Sequence, residues 1–371
     1  MKRLWHTLRW LIIALNICCA GMLAVSYLSV DISPADFWLP SLISILQPVW
    51  FVLNLLFAVY WAICWKKWVL ISLISILLGC NQLFDLYRHR AADEQAPPAD
   101  LSILSYNVHL FHLYGWSDRP PTQQQIADLI GQTNASVSCL QEFYTNADFS
   151  TEQAKALIPG NAHIHYVVEH GERRYGIATF TRYPIVDSGH LRFDRSANST
   201  IFTDVKIDDD TIRIYNTHLQ SFRFKRSNLE FLQNPARQGR QEGFWDRVAD
   251  FLVELKDLGR HIRAASIKRA QQVQQLERHI ALSPYPVVVC GDFNDSPNSY
   301  TYRRMRSIGL QDAFLLSGDG FGKTYSRFLP GLRIDYILSG PQLTPTRFDV
   351  LEADYSDHYP IRSTFSFKHQ I

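Results

Sequence analysis

The sequence predicts an α+β protein in two parts: three apolar helices that span a membrane, followed by one large domain of mixed strands and helices. The chain has 371 residues, 47% hydrophobic and 19% charged, which is enough for one large or two ordinary domains. Its first hundred residues contain long runs without a charged side chain, whereas the remainder alternates short apolar runs with polar helical segments. These observations separate a membrane part from a globular part.

The membrane part is predicted from three windows that contain no Asp, Glu, Lys or Arg. They cover residues 10–30, 37–65 and 68–84. A helix rises about 1.5 Å per residue and a bilayer core needs about 20 apolar residues, so the first two windows are long enough and the third is just long enough. We expect residues 1–87 to form a membrane anchor of three helices, with the lipid bilayer as the partner of residues 10–87. A cleaved signal peptide is the alternative for the first window.

The distribution of basic residues predicts the orientation of this anchor. Basic residues are concentrated in cytoplasmic loops. We therefore expect an integral protein of the plasma or inner membrane, with its N-terminus in the cytoplasm and everything after residue 84 on the non-cytoplasmic side. Arg88 and Arg90 count against this orientation. The residues that favour it are Lys2, Arg3 and Arg9 before the first window and Lys66 and Lys67 before the third.

The region after the anchor is predicted to be a linker and one domain. Residues 88–100 contain two adjacent prolines with several alanine and acidic residues, which is typical of a short linker. The domain would then span residues 101–368. Residues 100–371 carry as many acidic as basic side chains, which counts against a strongly cationic nucleic-acid binder. A basic helical insert near residues 221–279 fits either a solvated helical hairpin or a surface for anionic lipid headgroups.

Polar residues lie at the ends of β-rich runs in this domain. The runs cover residues 101–109, 135–142, 175–181, 211–219, 286–294 and 332–339, and helices are predicted at 122–132 and around 264–282. One such polar residue is commonly a turn former or a structural histidine, but a regular set of eight indicates a shared site. All eight are types that bind a hard cation through oxygen or move a proton: Asn107, Glu142, His218, Asp292, Asn294, Asp335, Asp357 and His358.

The motifs that contain these residues resemble a known enzyme superfamily. In chain order they are SYNVHLF, LQE, YGIATFTR, YNTHLQ, GDFND, RIDYIL and SDHYP. As a set, they resemble the endonuclease/exonuclease/phosphatase superfamily, which includes deoxyribonuclease I, neutral sphingomyelinases and inositol polyphosphate 5-phosphatases. The resemblance covers residues 100–368 and implies a deoxyribonuclease I-like fold, a four-layered α/β/β/α sandwich. It also implies a divalent-cation phosphoesterase site at one edge of the two sheets.

The resemblance implies a metal role for three residues. Glu142 would be the main carboxylate ligand of Mg²⁺, with Mn²⁺ as an alternative, and Asn107 and Asp357 would bind the ion or its waters. Magnesium suits such a set because it prefers oxygen ligands, keeps several waters and takes only one or two protein carboxylates.

The resemblance implies catalytic roles for the other five. Asp292, the favoured general base, and Asn294 would orient the attacking water. His358, polarised by Asp335, would bind the phosphate or shuttle a proton, and His218 would stabilise charge in the transition state. The division of acid and base among Asp292, His218 and His358 stays open.

Three functions are compatible with these features. The first is a membrane-anchored phosphodiesterase or phosphatase, a hydrolase acting on a lipid headgroup or a small phosphorylated molecule by in-line water attack. The second is a nuclease, with DNA or RNA as the partner. The third is a catalytically silent membrane scaffold, which the complete set of polar positions disfavours. The oligomeric state stays open.

Overall fold

Two compact units are present in the computed structural model, which describes residues 2–89, 99–112, 123–145, 150–158, 160, 162–170, 175–223, 244–326 and 332–368. The first unit comprises residues 1–82, 220–271 and 298–300. The second comprises residues 83–219, 272–297 and 301–371.

The first unit is helical. Its N-terminal helices are α1 (Lys2–Leu28), α2 (Leu39–Ile45), α3 (Gln47–Ile63), α4 (Val69–Leu78) and α5 (Cys80–Phe84), the last continuing into the second unit. Within the described residues, one helical segment, Arg3–Asp31, is by itself long and apolar enough to cross a membrane, with a mean hydropathy of 2.2. Helices α2 and α3 pass the same test only as a pair bent by 64°, and α4 has 10 residues.

The structure thus shows one candidate span, or two if the bent pair is counted, and not the three predicted. The reason lies in residues that interrupt helices. Pro40 and Pro48 occupy the first turns of α2 and α3, where the missing N–H favours a new helix over the continuation of an old one. Gly79 ends α4. The second and third charge-free windows therefore each contain two helices.

Polar side chains join the apolar helices of the first unit. Asn16 Nδ2 donates to Ser72 Oγ at 2.7 Å, and Trp61 Nε1 donates to Asn16 Oδ1 at 3.0 Å. Asn54 Nδ2 donates to the carbonyl oxygen of Cys19 at 3.1 Å. Hydrogen bonds of this kind hold helices together where the surroundings are apolar.

The second unit contains two six-stranded sheets. The strands are β1 (Leu101–Asn107), β2 (Val137–Tyr144), β3 (His163–His170), β4 (Tyr175–Thr181), β5 (Ile185–Arg192), β6 (Ser199–Ile207), β7 (Asp210–His218), β8 (Val287–Asp292), β9 (Gln311–Asp312), β10 (Asp335–Ser339), β11 (Leu343–Val350) and β12 (Ile361–Phe367). The strand order is β11-β12-β1-β2-β4-β3 in the first sheet and β5-β6-β7-β8-β10-β9 in the second. Only β1–β2 and β7–β8 are parallel among these pairs.

The sheets pack face to face around one apolar core. Ile103 and Val137 of the first sheet share this core with Ile214 and Val288 of the second, and all four are fully buried. A second cluster buries the other face of the first sheet against α6 (Gln123–Gln132) and α7 (Thr151–Leu157). The alternation of buried faces along the strands explains both layers, and the predicted sandwich is confirmed.

The remaining helices are α8 (Phe244–Ala281), α9 (Tyr300–Ser307) and α10 (Ala313–Ser317). Residues 224–243 of the predicted basic insert and residues 90–98 of the predicted linker lie outside the described residues. The described part of the insert is one continuous helix of 38 residues, so a hairpin within residues 244–281 is excluded. In the first unit, the guanidinium carbon of Arg263 on this helix lies 5.1 Å from the ring centre of Trp38.

Candidate active site

The two sheets bring their polar strand ends to one edge. Asn107 ends β1, and Glu142 lies near the end of the parallel neighbour β2. In the second sheet, His218 and Asp292 are register partners at the ends of the parallel strands β7 and β8. Asp335 begins the antiparallel strand β10 and is opposite Asp292. Because β10 runs antiparallel to β8, its first residue lies at the same edge of the sheet as the last residues of β7 and β8. The polar side chains are therefore close together.

A β-bulge positions Glu142. The register between β2 and β4 shifts between Leu140 and Phe143, and Glu142 has a φ of +50° within this shift. Such bulges re-aim a side chain at the edge of a sheet, and a non-glycine residue in this region is strained and typical of functional sites. The side chain of Glu142 retains 27% exposure, which leaves it accessible to a ligand.

Asn107 connects the two sheets. Its Nδ2 donates to Asp292 Oδ2 at 3.1 Å and lies 3.4 Å from Glu142 Oε1, while its Oδ1 accepts from the backbone N–H of His109 at 3.0 Å. In this orientation the amide presents hydrogen atoms, not oxygen, to the carboxylates. Asn107 therefore orients Glu142 and Asp292, and it would bind a cation directly only after its amide rotates.

The turn that carries Asp292 explains the GDFND motif. Gly291 has a φ of +136°, and a Cβ there would lie 1.9 Å from the carbonyl oxygen of Thr217 on the neighbouring strand, so no other residue fits. Asn294 adopts a φ of +52°, which places its backbone N–H 2.8 Å from Asp292 Oδ1 and its Nδ2 3.1 Å from Asp292 Oδ2. Asp292 is thus held by its own turn.

Two histidines flank Asp292. His358 Nδ1 bonds to Asp335 Oδ2 at 2.9 Å, and its Nε2 lies 3.7 Å from Asp292 Oδ2. His218 Nε2 lies 3.8 Å from both Asp292 Oδ2 and Glu142 Oε1. The Asp335 bond favours a proton on Nδ1 of His358, which turns Nε2 toward Asp292.

Asp357 is placed beside the site by residues that had no predicted role. Its Oδ1 lies 3.2 Å from His109 Nδ1. Ser356 donates its hydroxyl hydrogen to the carbonyl oxygen of Asn107 at 2.8 Å and accepts from the backbone N–H of His358 at 3.2 Å. Both residues lie inside the motifs SYNVHLF and SDHYP, so position within the motifs was their only signal.

A buried hydrogen-bonded pair that sequence reasoning also missed joins the two sheets next to the site. Gln141 Nε2 donates to Asn216 Oδ1 at 2.7 Å across the two sheets, and Asn216 Nδ2 donates to the carbonyl oxygen of Ala178 at 2.8 Å. Gln141 and Asn216 are fully buried next to Glu142 and near His218. In the sequence, only the presence of these polar residues within otherwise apolar strands could have indicated a buried hydrogen-bonded pair.

The electrostatics of the site follow from crowded acidic groups. Burial, and then the nearby carboxylate of Asp357, raise the pKa of Glu142 to about 7. Burial also raises the pKa of Asp292, against the opposing effect of His358. Burial alone would lower the pKa of His358, but the carboxylates of Asp335 and Asp292 outweigh it and raise that pKa well above its usual range.

The donor chemistry fits a hard divalent cation. Glu142 and Asp357 supply carboxylate oxygens, and a cation would offset both the burial of the Glu142 charge and its repulsion by Asp357, the two main causes of its raised pKa. Asp292, Asp335 and His358 also offer ligand atoms within 4.8 Å of one another. Because Asp335 is hydrogen-bonded to His358, Glu142 and Asp357 are the carboxylates that could hold such a cation.

Comparisons with known proteins identify the family of the chain. The family model described as Endonuclease/Exonuclease/phosphatase family matches residues 104–358, and a second model, described as a domain of unknown function, matches residues 9–86. No curated protein matches the sequence.

Solved structures share the fold. A family protein from Leptotrichia buccalis C-1013-b matches with a TM-score of 0.50 at 16% identity, covering 72% of this chain and 100% of that one. An endonuclease/exonuclease/phosphatase from Beutenbergia cavernae DSM 12333 matches with a TM-score of 0.51 at 16% identity, covering 73% and 72%. The chain belongs to the endonuclease/exonuclease/phosphatase family and is a hydrolase of phosphoester bonds.

Proposed function

We propose that the protein is a membrane-anchored, Mg²⁺-dependent phosphoesterase that hydrolyses a lipid headgroup or a small phosphorylated molecule by in-line water attack. The observation that carries the proposal is the convergence on Asp292 Oδ2. The Nδ2 atoms of Asn107 and Asn294 donate to this oxygen, each at 3.1 Å, and the Nε2 atoms of His218 and His358 lie 3.8 and 3.7 Å away.

Each side chain then has a role that its position supports. A bound Mg²⁺, held by Glu142 and Asp357, would neutralise charge on the phosphate. Asp292, fixed by its amide donors, accepts the proton of the attacking water. His358 Nε2 donates to the phosphate or to the leaving oxygen, with its tautomer set by Asp335. His218 stabilises charge on a non-bridging oxygen.

Two features favour a membrane-associated substrate over nucleic acid. The apolar segment Arg3–Asp31 supports an anchor in the plasma or inner membrane. The basic residues at its N-terminal end, Lys2, Arg3 and Arg9, support a cytoplasmic N-terminus. An odd number of spans, either this segment alone or three, then places the catalytic domain on the non-cytoplasmic side. The equal numbers of acidic and basic residues from 100 to 371 do not favour a polyanion. Protease added to intact inner-membrane vesicles of known sidedness would test the orientation: it should remove the catalytic domain only where the non-cytoplasmic face is exposed.

A substrate panel on the full chain tests the function. The panel contains bis(p-nitrophenyl) phosphate, anionic and zwitterionic phospholipids, and plasmid DNA, each with and without Mg²⁺. We expect Glu142→Gln to lower Mg²⁺-dependent turnover by at least about 100-fold, and Glu352→Gln, the same change at an exposed position, to leave it unchanged. Cleavage of plasmid alone at physiological salt would favour the nuclease, and no turnover of any phosphoester would overturn the proposal.

A further inference from the structure

The segment of residues 85–89, which directly follows α5, is bound to the catalytic unit. Arg88 and Gly320 exchange two backbone hydrogen bonds, at 2.9 Å for Arg88 N–H and 2.7 Å for Gly320 N–H. The ring of Tyr87 meets the ring of Phe321 edge-on at 5.0 Å. Arg88, the first residue of the predicted linker, is thus paired with Gly320. The second unit, which contains the catalytic residues, already starts at Leu83.

The loop that this segment contacts, residues 319–326, continues to the active site. The Thr324 hydroxyl oxygen accepts from the backbone N–H of Asp335 at 3.1 Å, and the Thr324 carbonyl accepts from Tyr359 N–H at 2.7 Å. The Tyr325 ring lies 5.0 Å from the ring of His358. The loop therefore contacts the backbone on both sides of the hydrogen bond between Asp335 and His358.

A buried arginine adds a second connection from the segment to Asp335. Arg333 Nη2 donates to the carbonyl oxygen of Asp85 at 3.0 Å, and its Nη1 donates to Asp312 Oδ2 at 2.6 Å. The Arg333 side chain is 3% exposed, so this ion pair is well protected from solvent. Arg333 lies two residues before Asp335, at the entry to β10.

The loop needs such external support. Gly320 and Gly322 both have positive φ, at +74° and +58°. Glycine in these conformations leaves the free loop with many accessible backbone states, and the entropy lost on ordering has to be offset by contacts. The two hydrogen bonds to Arg88 provide contacts of this kind.

We propose that residues 85–89 are a positioning element of the active site: by pairing with Gly320 they hold the 319–326 loop where it aligns Asp335 with His358. This inference rests on the catalytic roles proposed for those two residues. Residues 85–89 contact Gly320, Phe321 and Arg333 and none of the proposed catalytic or metal residues through a hydrogen bond described above, so they act through the loop. A truncated enzyme that begins before residue 85 keeps this segment and should retain full turnover. One that begins between residues 90 and 99 lacks the segment and should lose it.

The test uses the full chain in liposomes, with bis(p-nitrophenyl) phosphate and Mg²⁺. Arg88→Pro removes the N–H that bonds to Gly320, whereas Arg88→Ala keeps both backbone bonds and is the matched control. We expect kcat of Arg88→Pro to fall at least about tenfold with KM within about twofold of the wild type, because misplacement of a catalytic pair affects the chemical step. Arg88→Ala should stay within about twofold.

A double-variant cycle separates positioning from general destabilisation. In the Asp335→Asn background the aligned pair is already lost, so Arg88→Pro should have an effect of less than about twofold. Equal kcat for Arg88→Pro and Arg88→Ala, or the same tenfold loss in both backgrounds, would overturn the inference.

Hydrogen exchange gives a measurement that does not depend on the variant or on the substrate. In the wild-type chain, the amides of Arg88 and Gly320 should exchange at least about tenfold more slowly than an unstructured peptide. Exchange at the unprotected rate would refute the pairing. Absence of wild-type turnover on any phosphoester would refute the proposed function instead, and exchange would still decide whether the segment is paired.

Discussion

Replacement of Glu142 by Gln should stabilise the metal-free protein at alkaline pH while it abolishes turnover. The pKa of Glu142 is raised from its ordinary value of 4.5 to about 7, chiefly by burial. Between these two values the folded state binds more protons than the unfolded state, so stability falls as the pH rises from 4.5 and the cost is complete above about 7. Glutamine is neutral at every pH and carries no such cost.

The magnitude follows from the same shift. At about 1.4 kcal/mol for each tenfold change in acidity, a rise from 4.5 to about 7 costs about 3 kcal/mol. Because 27% of the Glu142 side chain is exposed, solvent screening reduces this value. We expect roughly 1–3 kcal/mol. For a domain of this size each kcal/mol changes Tm by roughly 2 °C.

The assay is thermal unfolding of the full chain in EDTA at pH 5 and at pH 8.5. The Tm of Glu142→Gln should exceed that of the wild type by roughly 2–6 °C at pH 8.5, with a smaller difference at pH 5. Added Mg²⁺ should reverse the order at pH 8.5, because it stabilises only the wild type. A variant that is less stable than the wild type at pH 8.5 without metal would refute the electrostatic account of this site.

Three further outcomes are expected from single substitutions. Asp335→Asn, which removes the charged acceptor at 2.9 Å from His358 Nδ1, should lower kcat by about 10²–10⁴-fold; a loss below tenfold would contradict the assigned role. Asn216→Leu removes the 2.7 Å acceptor of the buried Gln141 amide and the donor to the Ala178 carbonyl, and should lower the free energy of unfolding by about 1–3 kcal/mol in denaturant titrations; an unchanged midpoint would contradict it. Gly291→Ala places a Cβ 1.9 Å from a backbone oxygen and should lower the yield of soluble folded protein; a wild-type yield would show that this edge of the sheet can shift.

The strand ends of the site were predictable because the information is local. Asp292 and Asn294 lie in one motif, and a turn residue after a buried strand needs no knowledge of distant partners. Glu142 was found as a residue type, but its bulge was not, because the bulge depends on how β2 pairs with β4. The same reason hides the bond between Gln141 and Asn216, which are 75 positions apart and meet only when the sheets pack.

The helical part shows a different limit of sequence reasoning. A window without charges records composition, and composition correctly marks residues 10–30 as one apolar helix. It does not record where a helix begins. Pro40 lies in the first turn of the first helix of the second window, and Pro48 marks the break after which a second helix begins at 64° to it. Gly79 divides the third window. These residues were visible in the sequence, and helix-start rules applied inside each window would have found the breaks.

The proposed phosphoesterase site, centred on Asp292, requires both this carboxylate and a divalent cation. Turnover of bis(p-nitrophenyl) phosphate is therefore compared between the full-length wild type and Asp292→Asn, with Mg²⁺ and with EDTA. We expect Mg²⁺-dependent turnover by the wild type, its loss in EDTA, and a decrease of about 10²–10⁴-fold in the variant. Equal turnover by the wild type and Asp292→Asn, with or without metal, would contradict it.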